Sequence, residues 1–328
     1  MTSPPPSPRP ILSIIVPIYN EEEVLPELHR RLGELLEALV EVAGRWEVVF
    51  VDDGSSDRSP ALLDGLARAE PRYRVVRFAR NFGHQAAITA GLDCAEGDAV
   101  VVMDADLQDP PEVVQSMLAK WREGYDVVYG VRRKRLGETI FKRATAAVFY
   151  RLMNAALGVQ IPKDAGDFRL MSRPVVLTLR SLREKHRFMR GLVAWVGFRQ
   201  TSVSYDRPQR FAGTTKYPLR KMLRFALDGV TSFSTSPLRI AIWLGALAGL
   251  AAMALGGWAL YIRLFTDRTV QGWTTIMLLV ALGAAAQLLV LGILGEYVGR
   301  IYEEIKQRPL YIVDNESRGV SPRPPDTR

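Results

Sequence analysis

Cysteine and histidine are scarce in this 328-residue chain, and their scarcity excludes two kinds of site. The one cysteine, Cys94, cannot form an intramolecular disulfide. The three histidines, His29, His84 and His186, are scattered and do not give the Cys/His spacing of a zinc site. Because disulfides belong to oxidising compartments, we expect the protein to face the cytosol.

Two common phosphate-binding motifs are also missing. No GxGxxG follows the first apolar run, and neither GxxxxGKS nor GxxxxGKT occurs anywhere in the chain. Dinucleotide oxidoreductases and P-loop NTPases are therefore disfavoured.

The N-terminus lacks the pattern of a signal peptide. Its first ten residues, MTSPPPSPRP, are rich in proline, and Ser13 and Pro17 interrupt the apolar run from Ile11 to Ile18. We expect residues 1–10 to form a disordered tail that stays in the cytoplasm.

Positive charge is in excess. Lysine and arginine number 43 against 35 acidic residues, which gives a formal net charge of +8 and a pI near 9.7. This balance implies an anionic partner, which could be nucleic acid, phospholipid headgroups or a phosphorylated small molecule. The hydrophobic content of 48% suits a mixed soluble and membrane protein.

Two segments near the C-terminus are long and carry no charge: Ile240 to Ile262 and Thr269 to Gly295. Each is long enough to cross a bilayer core of about 30 Å as a helix. Basic residues precede the first segment and follow the second, so the positive-inside rule places both flanks in the cytoplasm. We predict a hairpin of two transmembrane helices in the inner (plasma) membrane, with the catalytic domain and both termini cytoplasmic.

The segment Leu219 to Phe233 has apolar residues on one helical face and basic residues elsewhere. This pattern is typical of a helix lying on anionic headgroups, and equally of an ordinary amphipathic helix on a soluble domain.

Residues 11–210 predict an α/β domain. Five apolar, β-rich runs (ILSIIVPIY, WEVVFVDD, YRVVRFA, DAVVVMDAD and YDVVYGVR) alternate with helix-compatible stretches. Near-continuous hydrophobic strands with helical crossovers indicate a buried, mainly parallel sheet. Functional loops are then expected at the carboxyl ends of the strands.

Acidic residues stand where these strands are predicted to end. Asp104 and Asp106, followed by Gln108, come directly after DAVVVM. Such oxygen ligands suit Mg²⁺ or Mn²⁺ bound together with a diphosphate. The simpler interpretation is a solvated acidic loop in which Asp109 caps the next helix.

The ends of the first two strands are suited to a nucleoside. Pro17, Tyr19 and Glu21 could stack on a base and accept its hydrogen bonds, while Asp52 and Asp53 could hold a ribose or a base N–H. Gly54 permits a tight turn after them.

The run GVRRKRLGETIFKR is strongly basic. It could be a solvated face or a nucleic-acid surface. An apolar helix follows it, so we favour a lipid phosphate as its partner and expect no nucleic acid.

The motifs IVPIYNEE, VDDGSSDRS, RNFGHQAAITAG, DADLQDPP and DAGDFRLMSR, in this order, resemble glycosyltransferase family 2 with the GT-A fold. Within it the chain is similar, over about residues 11–313, to the polyprenyl-phosphate glycosyltransferases, the group of bactoprenol glucosyltransferases and dolichyl-phosphate mannose synthases. That resemblance implies transfer from a nucleotide-sugar donor, a divalent metal, and a homo-oligomer, possibly a tetramer.

The resemblance also implies roles for individual residues. Donor-binding residues would be Pro17, Tyr19, Glu21, Asp52, Asp53, Asn81 and Asp104, although Asn81 could be only a turn former. The metal would be held by Asp104, Asp106 and Gln108. Arg132 and Arg143 would bind the acceptor phosphate. Asp164 and Asp167 would lie beside the sugar. Arg210 and Lys216 would close over the reacting phosphates, although positive-inside topology alone could explain them.

We therefore predict an inverting transfer from a UDP- or GDP-sugar to a polyprenyl phosphate, with undecaprenyl phosphate favoured. A processive polysaccharide synthase would be expected to carry QxxRW and more membrane helices, and the sequence has neither. An inactive scaffold would be expected to lose its metal ligands, whereas Asp104 and Asp106 are present. The predicted divisions are a tail (1–10), a catalytic domain (11–210), a catalytic loop with a juxtamembrane helix (211–236), the membrane hairpin (237–298) and a cytoplasmic tail (299–328).

Overall fold

The computed structural model describes residues 12–43, 45–132, 165–206, 236–265 and 272–317. They fall into two compact units. One comprises Met1–Lys221 with Pro309–Arg328, and the other comprises Met222–Arg308.

The first unit is built on an eight-stranded sheet with the order β7-β5-β6-β4-β1-β2-β3-β8. Strands β1 to β5 and β7 run in one direction, while β6 and β8 run in the opposite one. The predicted α/β class with a mainly parallel sheet is therefore confirmed. The strands are β1 Leu12–Ile18, β2 Trp46–Asp52, β3 Tyr73–Phe78, β4 Ala99–Val102, β5 Val127–Arg132, β6 Ala165–Ser172, β7 Gln200–Tyr205 and β8 Val313–Ser317.

Helices connect and cover these strands. In this unit they are α1 Leu25–Ala43, α2 Ser59–Ala69, α3 His84–Cys94, α4 Val113–Arg122, α5 Arg173–Ser181 and α6 Met189–Trp195. Every residue of β1, β2 and β4 is buried, because helices cover both faces of the sheet. This is why the central strands have continuous rather than alternating apolar sequences.

The strand register brings several chain ends to one edge of the sheet. Ile18 at the end of β1 pairs with Asp52 at the end of β2. Val102 at the end of β4 pairs with Arg169 in the middle of the antiparallel β6, so the first residues of β6 extend beyond the end of β4. The loops after β1, β2 and β4 and the start of β6 therefore share one edge.

The segment after the last long helix adds a strand to this sheet. β8 pairs antiparallel with β3, and Tyr311 just before it stacks on Phe78 with ring centroids 5.0 Å apart. The hydroxyl of Tyr311 also donates to Asp93 at 2.8 Å. Residues 299–328 were predicted as a tail. Within them, the structure places residues up to Ile305 in a helix and Val313–Ser317 in the sheet.

The second unit contains two long helices, α7 Ser236–Phe265 and α8 Trp273–Ile305. Both are long and apolar enough to cross a membrane, over Ala241–Ile262 and Leu279–Ile305. Most of the apolar side chains described in them are exposed, which distinguishes them from core helices of a soluble protein. The first predicted span agrees closely. The second helix begins four residues later than predicted and continues past Gly295, where Arg300 and Glu296 form an i,i+4 ion pair at 2.9 Å.

Several predictions fall outside the described residues. They concern the N-terminal tail, the juxtamembrane helix around Leu219 to Phe233, and four proposed site residues, Arg143, Asp164, Arg210 and Lys216.

Candidate active site

The loops after β1 and β2 are hydrogen-bonded to each other. The N–H of Asn20 donates to the hydroxyl of Ser55 at 3.0 Å, and its side-chain oxygen accepts the N–H of Ser56 at 2.8 Å. The N–H of Glu21 donates to the hydroxyl of Ser59 at 2.9 Å. Asn20 holds a positive φ of 55°, which asparagine tolerates better than most residues. The two loops predicted to bind the donor thus form one hydrogen-bonded unit.

Of the predicted nucleoside-binding residues on the first loop, Tyr19 is the most accessible. Half of its surface is exposed, whereas Pro17 is buried at the end of β1 and Glu21 is partly buried. The Tyr19 ring can therefore stack on a planar ligand.

Asp52 and Asp53 are buried and already bonded within the chain. Asp52 accepts the N–H of Ser55 at 2.9 Å and the Nε–H of Arg77 at 3.1 Å. Asp53 accepts the N–H groups of Phe82 and Gly83 at 2.7 and 2.9 Å. Burial raises the pKa of Asp53, and these two N–H groups oppose the rise. Both carboxylates therefore shape the loops at this edge.

Gly54 lets the loop after β2 touch the loop after β3. Its φ is +69°, and a Cβ here would lie 2.5 Å from the carbonyl carbon of Arg80 and 2.7 Å from the nitrogen of Asn81. The structure thereby brings Asn81 to the same cluster of loops. Asn81 lies in the connection between β3 and α3, and both interpretations of this residue, donor ligand and turn former, stay predictions.

The turn after β4 is strained. Leu107 has a φ of 58° while its side chain is buried in the core, an uncommon combination for a bulky residue. Oδ1 of Asp106 accepts the N–H of Gln108 at 3.1 Å. Backbone strain of this kind is concentrated at functional sites, and here it occurs between Asp106 and Gln108, two of the three residues predicted to bind a metal.

Asp104 is the least satisfied of these carboxylates. In the part of the chain that the structure describes, its Oδ1 is buried without a hydrogen-bond partner, and Nε2 of His84 lies 3.5 Å from it. Burial raises the pKa of Asp104 to about 6, and His84 opposes that rise. A buried carboxylate oxygen of this kind is suited to receive a cation.

Asp167 lies close by and is surrounded by cationic groups. Arg190 donates to both of its oxygens at 3.1 and 3.0 Å, Arg169 donates at 3.3 Å, and Nε2 of His84 lies 3.4 Å away. Burial raises the pKa of Asp167, but His84 and Arg190 outweigh this effect and lower it overall. Asp167 is therefore a fixed negative charge beside Asp104.

Arg132, the predicted phosphate ligand at the end of β5, is held by Tyr205 and Asp109. Its Nε–H donates to the Tyr205 hydroxyl at 3.3 Å, and its Nη2 lies 3.5 Å from Asp109. The Tyr205 hydroxyl in turn donates to Asp109. Asp109 was considered as a cap of the following helix, but it is fully buried in this network, and α4 begins beyond it with Glu112 at its N-cap.

The structure thus brings most of the predicted residues to one edge of the sheet. Their roles stay predictions, and among the described residues no three His, Cys, Asp or Glu side chains form a preformed metal cluster. Neither Arg190 nor Tyr205 lies in a recognisable sequence motif, so no local signal predicts a role for them. For His84, within RNFGHQ, the family resemblance implies a place near the donor pocket but no particular role.

Comparisons with known proteins identify the family of this chain. The family model for glycosyl transferase family 2 matches residues 13–180. An uncharacterized glycosyltransferase of Bacillus subtilis is 52% identical over 92% of this chain and 92% of its own. The SfII prophage-derived bactoprenol glucosyl transferase of Shigella flexneri is 40% identical over 94% of this chain and 99% of its own.

Similarity to solved structures is weaker. A mannosyltransferase from Pyrobaculum calidifontis, in complex with GDP-Man and Mn²⁺, is 20% identical and aligns over 88% of this chain and 89% of its own, with a TM-score of 0.42.

Proposed function

This chain belongs to glycosyl transferase family 2, and we propose that it transfers a sugar from a UDP- or GDP-sugar to a polyprenyl phosphate with inversion at the anomeric carbon. The observation that carries the proposal is the 40% identity to a bactoprenol glucosyl transferase over 94% of this chain. An alignment of that extent includes both apolar helices as well as the sheet unit. The expected GT-A architecture agrees with the family match and with the sheet order.

The donor is assigned to the loops at the carboxyl edge of the sheet. The exposed ring of Tyr19 supplies a stacking surface for the base. Asp52 and Asp53 fix the loops around it, and each carboxylate retains further acceptor positions for a ribose hydroxyl or a base N–H. Pro17, Glu21 and Asn81 complete this predicted pocket.

A divalent cation fits the residues after β4. The buried Oδ1 of Asp104, which has no hydrogen-bond partner among the described residues, is the observation that supports it. Asp104, Asp106 and Gln108 would hold Mg²⁺ or Mn²⁺, with the remaining ligands taken from the diphosphate and water. The bound ion would neutralise charge on the departing nucleoside diphosphate.

The acceptor needs no general base. A phosphate monoester with a second pKa near 6 is already largely dianionic at neutral pH, so one of its oxygens can attack the anomeric carbon directly. The bond from that carbon to the nucleoside diphosphate breaks as the new bond forms, which inverts the configuration. Asp167, kept ionised by its cationic neighbours, can orient the sugar or stabilise positive charge that develops on it.

Arg132 is positioned to receive the acceptor phosphate. The Arg132 side chain is only 18% exposed, and Tyr205 and Asp109 fix its orientation. A guanidinium held in this way can align two phosphate oxygens through paired hydrogen bonds. Arg143 would share this task, and Arg210 and Lys216 would add positive charge over the reacting phosphates.

The two apolar helices suit a lipid-linked acceptor. They would hold the enzyme in the membrane that contains the polyprenyl chain, and confinement of both reactants there raises their effective concentration. We place the catalytic unit on the cytoplasmic side of the inner membrane, because basic residues flank the hairpin.

The proposal is tested by incubating the purified full-length protein with polyprenyl phosphate, a panel of nucleotide sugars, and Mg²⁺ or Mn²⁺. We expect a glycolipid with at least one donor, and no product after chelation of the metal. Asp106→Asn should abolish product while membrane insertion stays normal. Full turnover by Asp106→Asn would contradict the metal assignment, and the absence of product with every donor would contradict the proposed function.

A further inference from the structure

Arg190 makes a two-pronged contact with Asp167. It lies on the first turn of α6, and its Nε and Nη2 donate to different oxygens of the same carboxylate at 3.1 and 3.0 Å. Parallel hydrogen bonds of this kind fix the plane of the carboxylate as well as its position. Asp167 is almost fully buried, so it cannot rotate to find water instead.

The imidazole of His84 lies between the Asp167 carboxylate, which Arg190 holds, and Asp104, a predicted metal ligand. Nε2 of His84 lies 3.4 Å from Oδ2 of Asp167 and 3.5 Å from Oδ1 of Asp104. One ring nitrogen therefore lies between the two carboxylates. A shift of Asp167 would remove the nearer of the two carboxylate contacts of this ring.

The helices that carry Arg190 and His84 are also joined directly. The N–H of Met189 at the start of α6 donates to the side-chain oxygen of Gln85 at 2.9 Å. Met189 and Gln85 are the chain neighbours of Arg190 and His84. This hydrogen bond therefore links α6 to α3 next to Arg190 and His84.

We propose that Arg190 is a positioning residue that acts through Asp167 and His84 to orient Asp104 for the donor diphosphate and its cation. This inference rests on the proposed function. In a direct role, the partly exposed guanidinium of Arg190 would itself contact the donor. A positioning role is different, because the effect of Arg190 then requires Asp167. It differs from a purely structural role because it predicts a defect in ligand binding while the fold is retained.

The test is a double-mutant cycle on binding of UDP or GDP in the presence of Mn²⁺, measured by calorimetry on the full-length protein. Arg190→Gln should weaken binding by roughly 10–100-fold, the range seen when a group that orients a metal ligand is removed. In an Asp167→Asn background the same change should weaken binding by less than about 3-fold, since its partner is already lost. The His84→Gln background should show the same reduced effect.

Two further variants serve as controls. Arg183 forms an equivalent two-pronged pair with Asp93, at 2.8 and 3.0 Å, away from the carboxyl edge of the sheet. Arg183→Gln should leave nucleotide binding within about 2-fold of the wild type. Arg190→Lys keeps the charge without the paired geometry, so it should retain the melting temperature and lose part of the binding.

The outcomes separate this inference from the proposed function. If the wild type makes glycolipid and the effects of Arg190→Gln and Asp167→Asn multiply, the positioning role is overturned while the function stands. If Arg190→Gln does not fold, Arg190→Lys decides: wild-type binding by this variant overturns the inference. A wild type that neither binds nucleotide nor makes product overturns both.

Discussion

At the scale of single residues, adjacent side chains with the same chemistry have different tasks. Asp52 is bonded to the loop that follows it and to a neighbouring strand, whereas Asp53 reaches across to the turn before α3. Both are buried, so neither carboxylate is simply a ligand waiting for a nucleoside. Their first effect is to fix the shape of the loops after β2 and β3. The loop after β2 is in turn hydrogen-bonded to the loop that carries Tyr19.

Gly54 should be irreplaceable. Gly54→Ala would place a Cβ 2.5 Å from the backbone of Arg80 and force a side chain into positive φ, so we expect a loss of more than about 2 kcal/mol in the free energy of unfolding. Gly65 in α2 has open space around it, and Gly65→Ala should instead stabilise by about 0.5–1 kcal/mol. Denaturant unfolding monitored by circular dichroism measures both. A Gly54→Ala protein as stable as the wild type would contradict the described contact between the two loops.

Tyr205 should affect the acceptor and leave the donor unaffected. Tyr205→Phe removes the hydroxyl that accepts from Arg132 and donates to Asp109, so we expect KM for polyprenyl phosphate to rise roughly tenfold, equivalent to about 1.4 kcal/mol. Steady-state kinetics with each substrate varied in turn would show this. Tyr73→Phe is the matched control, because that hydroxyl contacts His29 at 3.2 Å near the amino ends of the strands. A rise in KM for the donor alone would exclude the assignment of Arg132 to the acceptor.

At the scale of elements, the strands β1 to β5 could be predicted from the sequence, whereas β6, β7 and β8 could not. Strands β1, β2 and β4 are recognisable as nearly continuous apolar runs because both faces of the sheet are covered there. The runs that form β3 and β5 are also rich in β-branched and aromatic residues. The segment that forms β6 contains Asp167 and Arg169, and charged residues are not typical of a buried strand. The sequence therefore indicated a site motif here but no strand. Those charges are tolerated because they bond to each other and to backbone carbonyls.

In the candidate site too, some residues could be predicted from the sequence and others could not. Carboxylates after β2 and β4 are visible in the sequence because strand ends are predictable, and parallel strands bring their ends together. The contact of Arg190 with Asp167 joins residues on different elements, and no local pattern encodes it. The same holds for Tyr205 and Asp109.

The strand β8 should be required for the stability of the sheet unit. Tyr311→Ala removes the stacking on Phe78 and the hydrogen bond to Asp93, so we expect Tm to fall by roughly 5–10 °C. Tyr311→Phe should lower Tm by less, because it retains the stacking on Phe78. The neighbouring side chain of Ile312 is half exposed, and Ile312→Ala should change Tm by less than about 2 °C. Equal effects of Tyr311→Ala and Ile312→Ala would argue against anchoring by Tyr311.

At the scale of the whole molecule, the arrangement predicts a topology that can be measured. With Cys94→Ala as background, Thr266→Cys in the connection between α7 and α8 should react with a membrane-impermeant maleimide in intact cells, because that connection is expected on the outer side. Ser321→Cys, beyond β8, should react only after the cells are opened. Labelling of Ser321→Cys in intact cells would reverse the orientation proposed for the catalytic unit.

The central claim is that the acceptor is a polyprenyl phosphate, and a comparison of acceptors tests it most directly. The purified protein, given its donor and Mn²⁺, would be offered polyprenyl phosphate, polyprenyl diphosphate and free polyprenol in separate reactions, with the products identified by mass spectrometry. We predict a single product, the polyprenyl phosphate extended by one sugar, formed only from the monophosphate. Equal transfer to polyprenol, or products carrying several sugars, would contradict this account.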